Sequence, residues 1–323
     1  MASRGGAGGG TGTAALKAGL AAAGALALAP HAGHALQHLM LALRKPQNLR
    51  SKYNAQWALV TGASSGIGYA ATRALASQGL GIIAVALDEP ALDNAMQALR
   101  RDFPGISFRR VGVSLADNNS STYMTEIESA TSDIDVQIVV NNAGFVVTGF
   151  FDRTPIAKNL ACAHCNAVAP LPITYHFVSK MLNKQQRGCV IFTSSAAACF
   201  PSPFSSLYAA TKSFLSFFGA ALNVELRSRG IDVCVVHPSP VSSRFYDNAH
   251  SISALDFFKS VSGDPSAVPK AMLKAVGRAS WMDVGLVALL FRSVSKLLDL
   301  GHIFTVVSAH AHRTADYRKY VGE

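Results

Sequence analysis

Charge is scarce in this 323-residue chain: only 15% of residues carry it, while half are apolar. A disordered polyelectrolyte needs the reverse balance, so a packed core is expected, and a greasy one for an ordinary cytosolic enzyme. No acidic residue occurs before Asp88, and residues 18–43 carry no charge of either sign. The net charge of +10 comes without basic runs interleaved with aromatics, and its densest cluster, residues 44–52, flanks the uncharged segment. That distribution argues against nucleic acid as a partner. Cysteine is also sparse. Cys162, Cys165, Cys189, Cys199 and Cys234 are odd in number in a chain that needs no staples, so free thiols in a reducing environment are expected. Cys162 and Cys165 flank His164, but they lack a second ligand pair and fall within a predicted helix. Buried thiols therefore fit better than zinc ligands.

The length allows one large core, or one core with an appendage. Residues 1–12 are rich in Gly, Ser and Thr and read as disordered. Residues 18–43 are long enough to cross a bilayer, yet Pro30 interrupts them, and His31, His34 and His38 occupy the second half. Three readings fit: a membrane anchor or hairpin, an organelle-targeting segment, or a soluble helix. From Gln56 the pattern becomes an alternation. Apolar, β-rich runs at 57–60, 81–86, 106–113, 136–140, 189–193 and 231–236 alternate with helical stretches at 69–77, 91–101, 120–130, 156–184 and 209–227. Such alternation predicts a parallel sheet covered by helices on both faces. After Pro238 the rhythm is lost and helical stretches follow, 284–298 among them. The expected division is 1–53, a disordered start plus hydrophobic segment; 54–250, an α/β core; and 251–323, a helical extension open to membrane contact.

Thr61-Gly62-Ala63-Ser64-Ser65-Gly66-Ile67-Gly68 follows the first strand and opens a helix. Glycines let a pyrophosphate approach the backbone, and the helix N-terminus offers it unpaired N–H groups and partial positive charge. Three glycines alone are a weak signal; their placement between strand and helix strengthens it.

The spacing Thr-Gly-x-x-x-Gly-x-Gly resembles the short-chain dehydrogenase/reductase family. Four further matches stand in order: Asn141-Asn142-Ala143-Gly144 after the fourth strand, Asn166 mid-helix, Ser195 at the end of the fifth strand, and Tyr208-Ala-Ala-Thr-Lys212. The resemblance implies a Rossmann-type, doubly wound α/β fold. It implies catalysis by Ser195, Tyr208, Lys212 and Asn166, the last holding a water that links Lys212 to solvent. Ser194 is the alternative to Ser195. The Tyr–Lys spacing has its own physics. Residues four apart share a helix face, and a nearby ammonium favours phenolate, so Tyr208 becomes a general acid or base. Ser195 would hydrogen-bond the substrate oxygen. Gly62, Ser64, Ser65, Gly66, Ile67 and Gly68 would hold the cofactor phosphates; Ser114, Leu115, Asn142, Ala143 and Gly144 would border the adenosine. Pro238, Val241 and Ser243 match the segment contacting the nicotinamide amide, and Lys212 the residue binding its ribose. His237 is expected to line the cofactor mouth or pack there, without a catalytic role.

Leu49-Arg-Ser-Lys-Tyr53-Asn-Ala-Gln-Trp57-Ala and the tail at 310–320 are similar to the 3-ketoacyl-CoA reductase and 17-beta-hydroxysteroid dehydrogenase branch. This implies an endoplasmic-reticulum membrane enzyme acting on a lipid ketone, NADP(H) as cofactor, and pairing of two copies through the long helices beside the active site. Local chemistry leans towards NAD(H), because Leu87 stands where NADP-preferring relatives carry arginine, and Asp88 follows, but the resemblance makes NADP(H) the expected cofactor and NAD(H) the alternative. Asp88 sits two positions beyond the usual ribose-binding aspartate. The rival to an enzyme is a catalytically idle dinucleotide-binding scaffold or redox sensor.

Overall fold

The computed structural model describes residues 9–243, 245 and 253–321. Two compact units divide between Lys45 and Pro46. The first is built on one helix, α1 (Gly9–Leu43), which runs through Pro30. An alanine-rich sequence has the propensity to carry a helix past the single backbone bond that proline removes. Residues 9–12, expected to be disordered, are helical here; residues 1–8 lie outside the described residues. The span Thr13–Leu43 is long and apolar enough to cross a membrane.

In the second unit the described residues form one parallel sheet of seven strands, ordered β3-β2-β1-β4-β5-β6-β7. The strands are β1 (Trp57–Thr61), β2 (Gly81–Ala86), β3 (Phe108–Gly112), β4 (Val136–Asn141), β5 (Gly188–Thr193), β6 (Ile231–Pro238) and β7 (Trp281–Val284). All residues of β4 and β5 are buried. That is the environment Val- and Ile-rich parallel strands need when helices cover both faces. The helices are α2 (Leu49–Tyr53), α3 (Gly66–Ala76), α4 (Pro90–Asp102), α5 (Ser120–Ser129), α6 (Ile156–Ala163), α7 (Pro170–Asn183), α8 (Ser206–Leu226), α9 (Ser253–Ser260), α10 (Ala267–Ala275), α11 (Leu286–Leu297), α12 (Leu300–His310) and α13 (Ala315–Val321). The chain winds outward from β1 to β3, then crosses back to β4. Connections leave β1 and β4 in opposite directions, and a crevice for a ligand opens at their C-terminal ends.

In this second unit three features depart from the sequence reading. The helix expected over 156–184 is broken by a π-helical turn, His164–Val168. Pro170 lacks the N–H that would close an α-helical bond onto the Asn166 carbonyl, and its ring crowds that carbonyl. The sheet gains β7 from residues just before the helical stretch at 284–298, where no strand was expected. The segment before β1 is also built into this unit. Leu49 is fully buried, and Tyr53 donates from its hydroxyl to Asp232 Oδ2 at 2.7 Å. Gln47 Nε2 reaches the Val276 carbonyl at 2.7 Å, and Leu49 N donates to Gln78 Oε1 at 2.7 Å. The boundary expected at residue 250 lies outside the described residues.

Candidate active site

The glycine turn after β1 forms a backbone cradle. Gly62 has φ +67° and Gly66 φ +54°, in the left-handed region where a side chain strains the backbone. A Cβ on Gly62 would stand 2.9 Å from Asn142 Nδ2, and one on Gly68 only 2.1 Å from the Gly62 carbonyl oxygen. Ser64, Ser65 and Ile67 are all part-exposed along the turn. Ser65 caps α3 with extended backbone and no side-chain cap bond, which leaves the first helical N–H groups to a ligand. A dinucleotide pyrophosphate fits this donor set. Thr61, passed over in the sequence reading although it opens the motif, braces the cradle: its Oγ1 accepts from Asn142 N and Ala143 N, both at 2.9 Å.

Beside the cradle, Lys212 on α8 is 3% exposed and donates from Nζ to the Thr193 carbonyl at 2.9 Å. Burial lowers its pKa to about 8, against smaller opposing contributions from the Cys165 and Cys162 thiols. Asn166, in the π-turn, is fully buried. Its Oδ1 accepts from Phe145 N at 2.9 Å, while Nδ2 donates to the Phe145 carbonyl at 2.9 Å and to Thr211 Oγ1 at 3.2 Å. A Cβ on Gly144 would lie 2.9 Å from Asn166 Oδ1 and 3.2 Å from Lys212 Nζ, so the two side chains converge on that glycine. Tyr208, one turn before Lys212, is half-buried; its ring centre lies 5.8 Å from Lys212 Nζ and 5.4 Å from the Phe245 ring.

Ser194 and Ser195 differ sharply. Ser194 is buried, donates to the Lys212 carbonyl at 2.7 Å and lies 2.8 Å from Ser216 Oγ. Ser195 stays half-buried at the head of the short 3-10 turn Ala196–Cys199, where its Oγ accepts from Ala197 N at 3.1 Å. Ser213 Oγ donates to the Ala198 carbonyl at 2.8 Å and fastens that turn to α8.

Other expected cofactor residues take varied places. Ser114 is exposed, whereas the Leu115 side chain is in the hydrophobic core. Pro238 ends β6, Val241 bridges Gly263, and Ser243 lies against Gly66. Leu87 is half-exposed, and Asp88 pairs with Arg110, which also donates from Nε to Asp93 at 2.8 Å. Arg110 went unnoticed in the sequence because only the β2–β3 register carries it to this corner. His237 is fully buried rather than at the mouth. The five cysteines are free and buried, as expected.

A family model described as short chain dehydrogenase matches residues 56–251. The chain belongs to the short-chain dehydrogenase family. It is an NAD(P)-dependent oxidoreductase, and the branch resemblance is borne out by curated relatives. The 17-beta-hydroxysteroid dehydrogenase type 3 of Mus musculus is 31% identical over 233 residues, covering 69% of this chain and 73% of that protein. A very-long-chain 3-oxoacyl-CoA reductase-like protein of Arabidopsis thaliana is 29% identical over 252 residues, covering 74% and 79%. Among solved structures, a Sphingobium yanoikuyae short-chain dehydrogenase in complex with NADPH aligns with TM-score 0.63 and 24% identity, over 71% of this chain and 87% of that one. A Burkholderia phymatum relative in complex with NAD aligns with TM-score 0.63 and 19% identity, over 75% and 92%. At such identities these two structures speak for the fold.

Proposed function

We propose that this enzyme interconverts a hydrophobic carbonyl and its alcohol, a 3-oxoacyl thioester or a steroid, with Tyr208 as general acid or base. The bound nicotinamide supplies or accepts the hydride; the side chains orient the substrate and handle the proton. In the reducing direction the Tyr208 hydroxyl donates its proton to the carbonyl oxygen, and Ser195 Oγ hydrogen-bonds the same oxygen as charge develops there. The Lys212 ammonium favours the phenolate that remains, and a water held at Asn166 returns the proton. One observation carries this reading: Lys212 Nζ and Asn166 Oδ1 converge beside Gly144, one helical turn from Tyr208. Tyr208→Phe tests it. Turnover should fall about a hundredfold or more, while dinucleotide affinity stays within about twofold. Undiminished turnover overturns the assignment.

The branch resemblance implies NADP(H), but the corner after β2 favours NAD(H). Asp88 and Asp93 already occupy Arg110, and Glu89 adds a further negative charge. A 2′-phosphate would be repelled there, whereas a ribose hydroxyl has a carboxylate to donate to. Fluorescence titration with NADH and NADPH decides it: NADH should bind about tenfold tighter or better, and the reverse order restores NADP(H).

The aromatic surroundings support a greasy substrate. Phe150 packs edge-on against Phe204 and against Tyr317 of the C-terminal α13, and Phe245 lies beside Tyr208. Two further points belong to this reading. The Thr13–Leu43 helix anchors the enzyme in the endoplasmic-reticulum membrane, which carbonate extraction tests. The exposed Tyr175 on α7 and Phe217 and Val224 on α8 pair two copies, which sedimentation in detergent tests.

A further inference from the structure

A line of buried polar side chains crosses three strands behind the active site. Thr193 pairs with Val236, and His237 pairs with Asp283. Ser194, His237 and Asp283 therefore occupy neighbouring register positions, where parallel strands present side chains to one face. Ser216 reaches them from α8 and Arg292 from α11. Ser216 Oγ lies 2.9 Å from His237 Nε2, and His237 Nδ1 lies 3.5 Å from Asp283 Oδ1. Asp283 receives the Arg292 guanidinium through Nη2 at 3.2 Å and Nε at 3.3 Å. His237 is 0% exposed, Asp283 and Ser216 3%, and Arg292 8%.

Ser216, His237 and Asp283 stand in the order of a nucleophilic triad, but at this depth no substrate carbonyl can meet the serine. Burying a carboxylate and a guanidinium is costly unless each finds partners, so the arrangement calls for another use. Its inner end supplies one. The Lys212 carbonyl accepts from Ser194 Oγ at 2.7 Å and from Ser216 Oγ at 2.8 Å. Its outer end belongs to the C-terminal elements. The Arg292 guanidinium lies 4.4 Å from the Trp281 ring, and Trp281 Nε1 donates to the Ser216 carbonyl at 2.9 Å. Phe291, next to Arg292, packs on Phe200, directly after the Ser195 turn, and on Phe258 of α9.

We propose that the file Arg292–Asp283–His237–Ser216 is a positioning device for Lys212. It sets how deeply the Lys212 turn of α8 seats against the end of β5, and through β7 and α11 it ties that depth to the C-terminal region. The catalytic weight of Lys212 rests on the function proposed above; the positioning does not.

The test uses the full-length protein with lysines labelled with carbon-13 at Cε, and with the Lys212 resonance assigned by its loss in Lys212→Arg. Wild-type Lys212 should titrate near 8. Ser216→Ala, with native circular dichroism, should move that midpoint by about half a pH unit or more, a threefold change in protonation constant, and Ser216→Thr should restore it. Arg292→Lys keeps the charge but loses the two-pronged grip, so it should move the midpoint too and stands in should Ser216→Ala fail to fold. On a ketone that the wild type reduces, kcat should fall about tenfold with KM nearly unchanged. An unmoved Lys212 titration in the folded variants overturns the proposal. A moved titration in a protein that reduces no ketone supports the positioning and sinks the catalytic reading instead.

Discussion

Lys212 Nζ donates to the carbonyl of Thr193 across 2.9 Å, joining helix α8 to the last residue of strand β5. The bond satisfies an ammonium that burial would otherwise leave without water. It does not remove the penalty, and the lysine's pKa falls to about 8.

The sign of the resulting pH dependence follows. The unfolded chain keeps this proton up to about pH 10.5, and the folded protein loses it near 8. Between those values the unfolded state binds more protons, so the group's contribution to stability rises with pH. Below about 8 the buried charge costs about 3 kcal/mol. Lys212→Met should be more stable than wild type at pH 7, with the difference shrinking between pH 8 and 10.5. Urea unfolding at several pH values checks this; a constant difference contradicts it.

The two serines after β5 should separate by phenotype. Ser194→Ala removes a buried donor to the Lys212 carbonyl and should cost about 1–2 kcal/mol of stability. Ser195→Ala removes a half-buried hydroxyl and should leave stability nearly unchanged while turnover falls about a hundredfold. Denaturant melts and steady-state rates on the same two proteins decide it.

Gly68→Ala would put a Cβ 2.1 Å from the Gly62 carbonyl oxygen. The turn must open, so dinucleotide affinity should fall more than about tenfold. Titration of cofactor fluorescence measures the loss.

A chain beginning at Asn54 would lack Leu49 and Tyr53, both buried. Losing one fully buried leucine typically costs about 2–5 kcal/mol, and the Tyr53–Asp232 bond goes with it. A version starting at Pro46 should be folded and markedly more stable than one starting at Asn54, as compared by thermal melts.

The amino-acid sequence alone was enough for the strand–helix alternation, the glycine turn after β1 and the reaction class. Buried parallel strands read as apolar runs, and turns need glycine at stated spacings; both are local constraints. Even the Tyr208–Lys212 pairing is local, because four residues make one helical turn. β7 escaped because Trp281-Met282-Asp283-Val284 places a carboxylate where a core strand should be apolar. Arg292 and His237, brought from α11 and β6, help make that burial tolerable. The π-turn escaped because the apolar period continues across Pro170. The different burial of Ser194 and Ser195 turned on which hydroxyl α8 covers, and Arg110 reached Asp88 only through strand register. These outcomes depend on partners far apart in sequence, and their desolvation is settled only when the layers close.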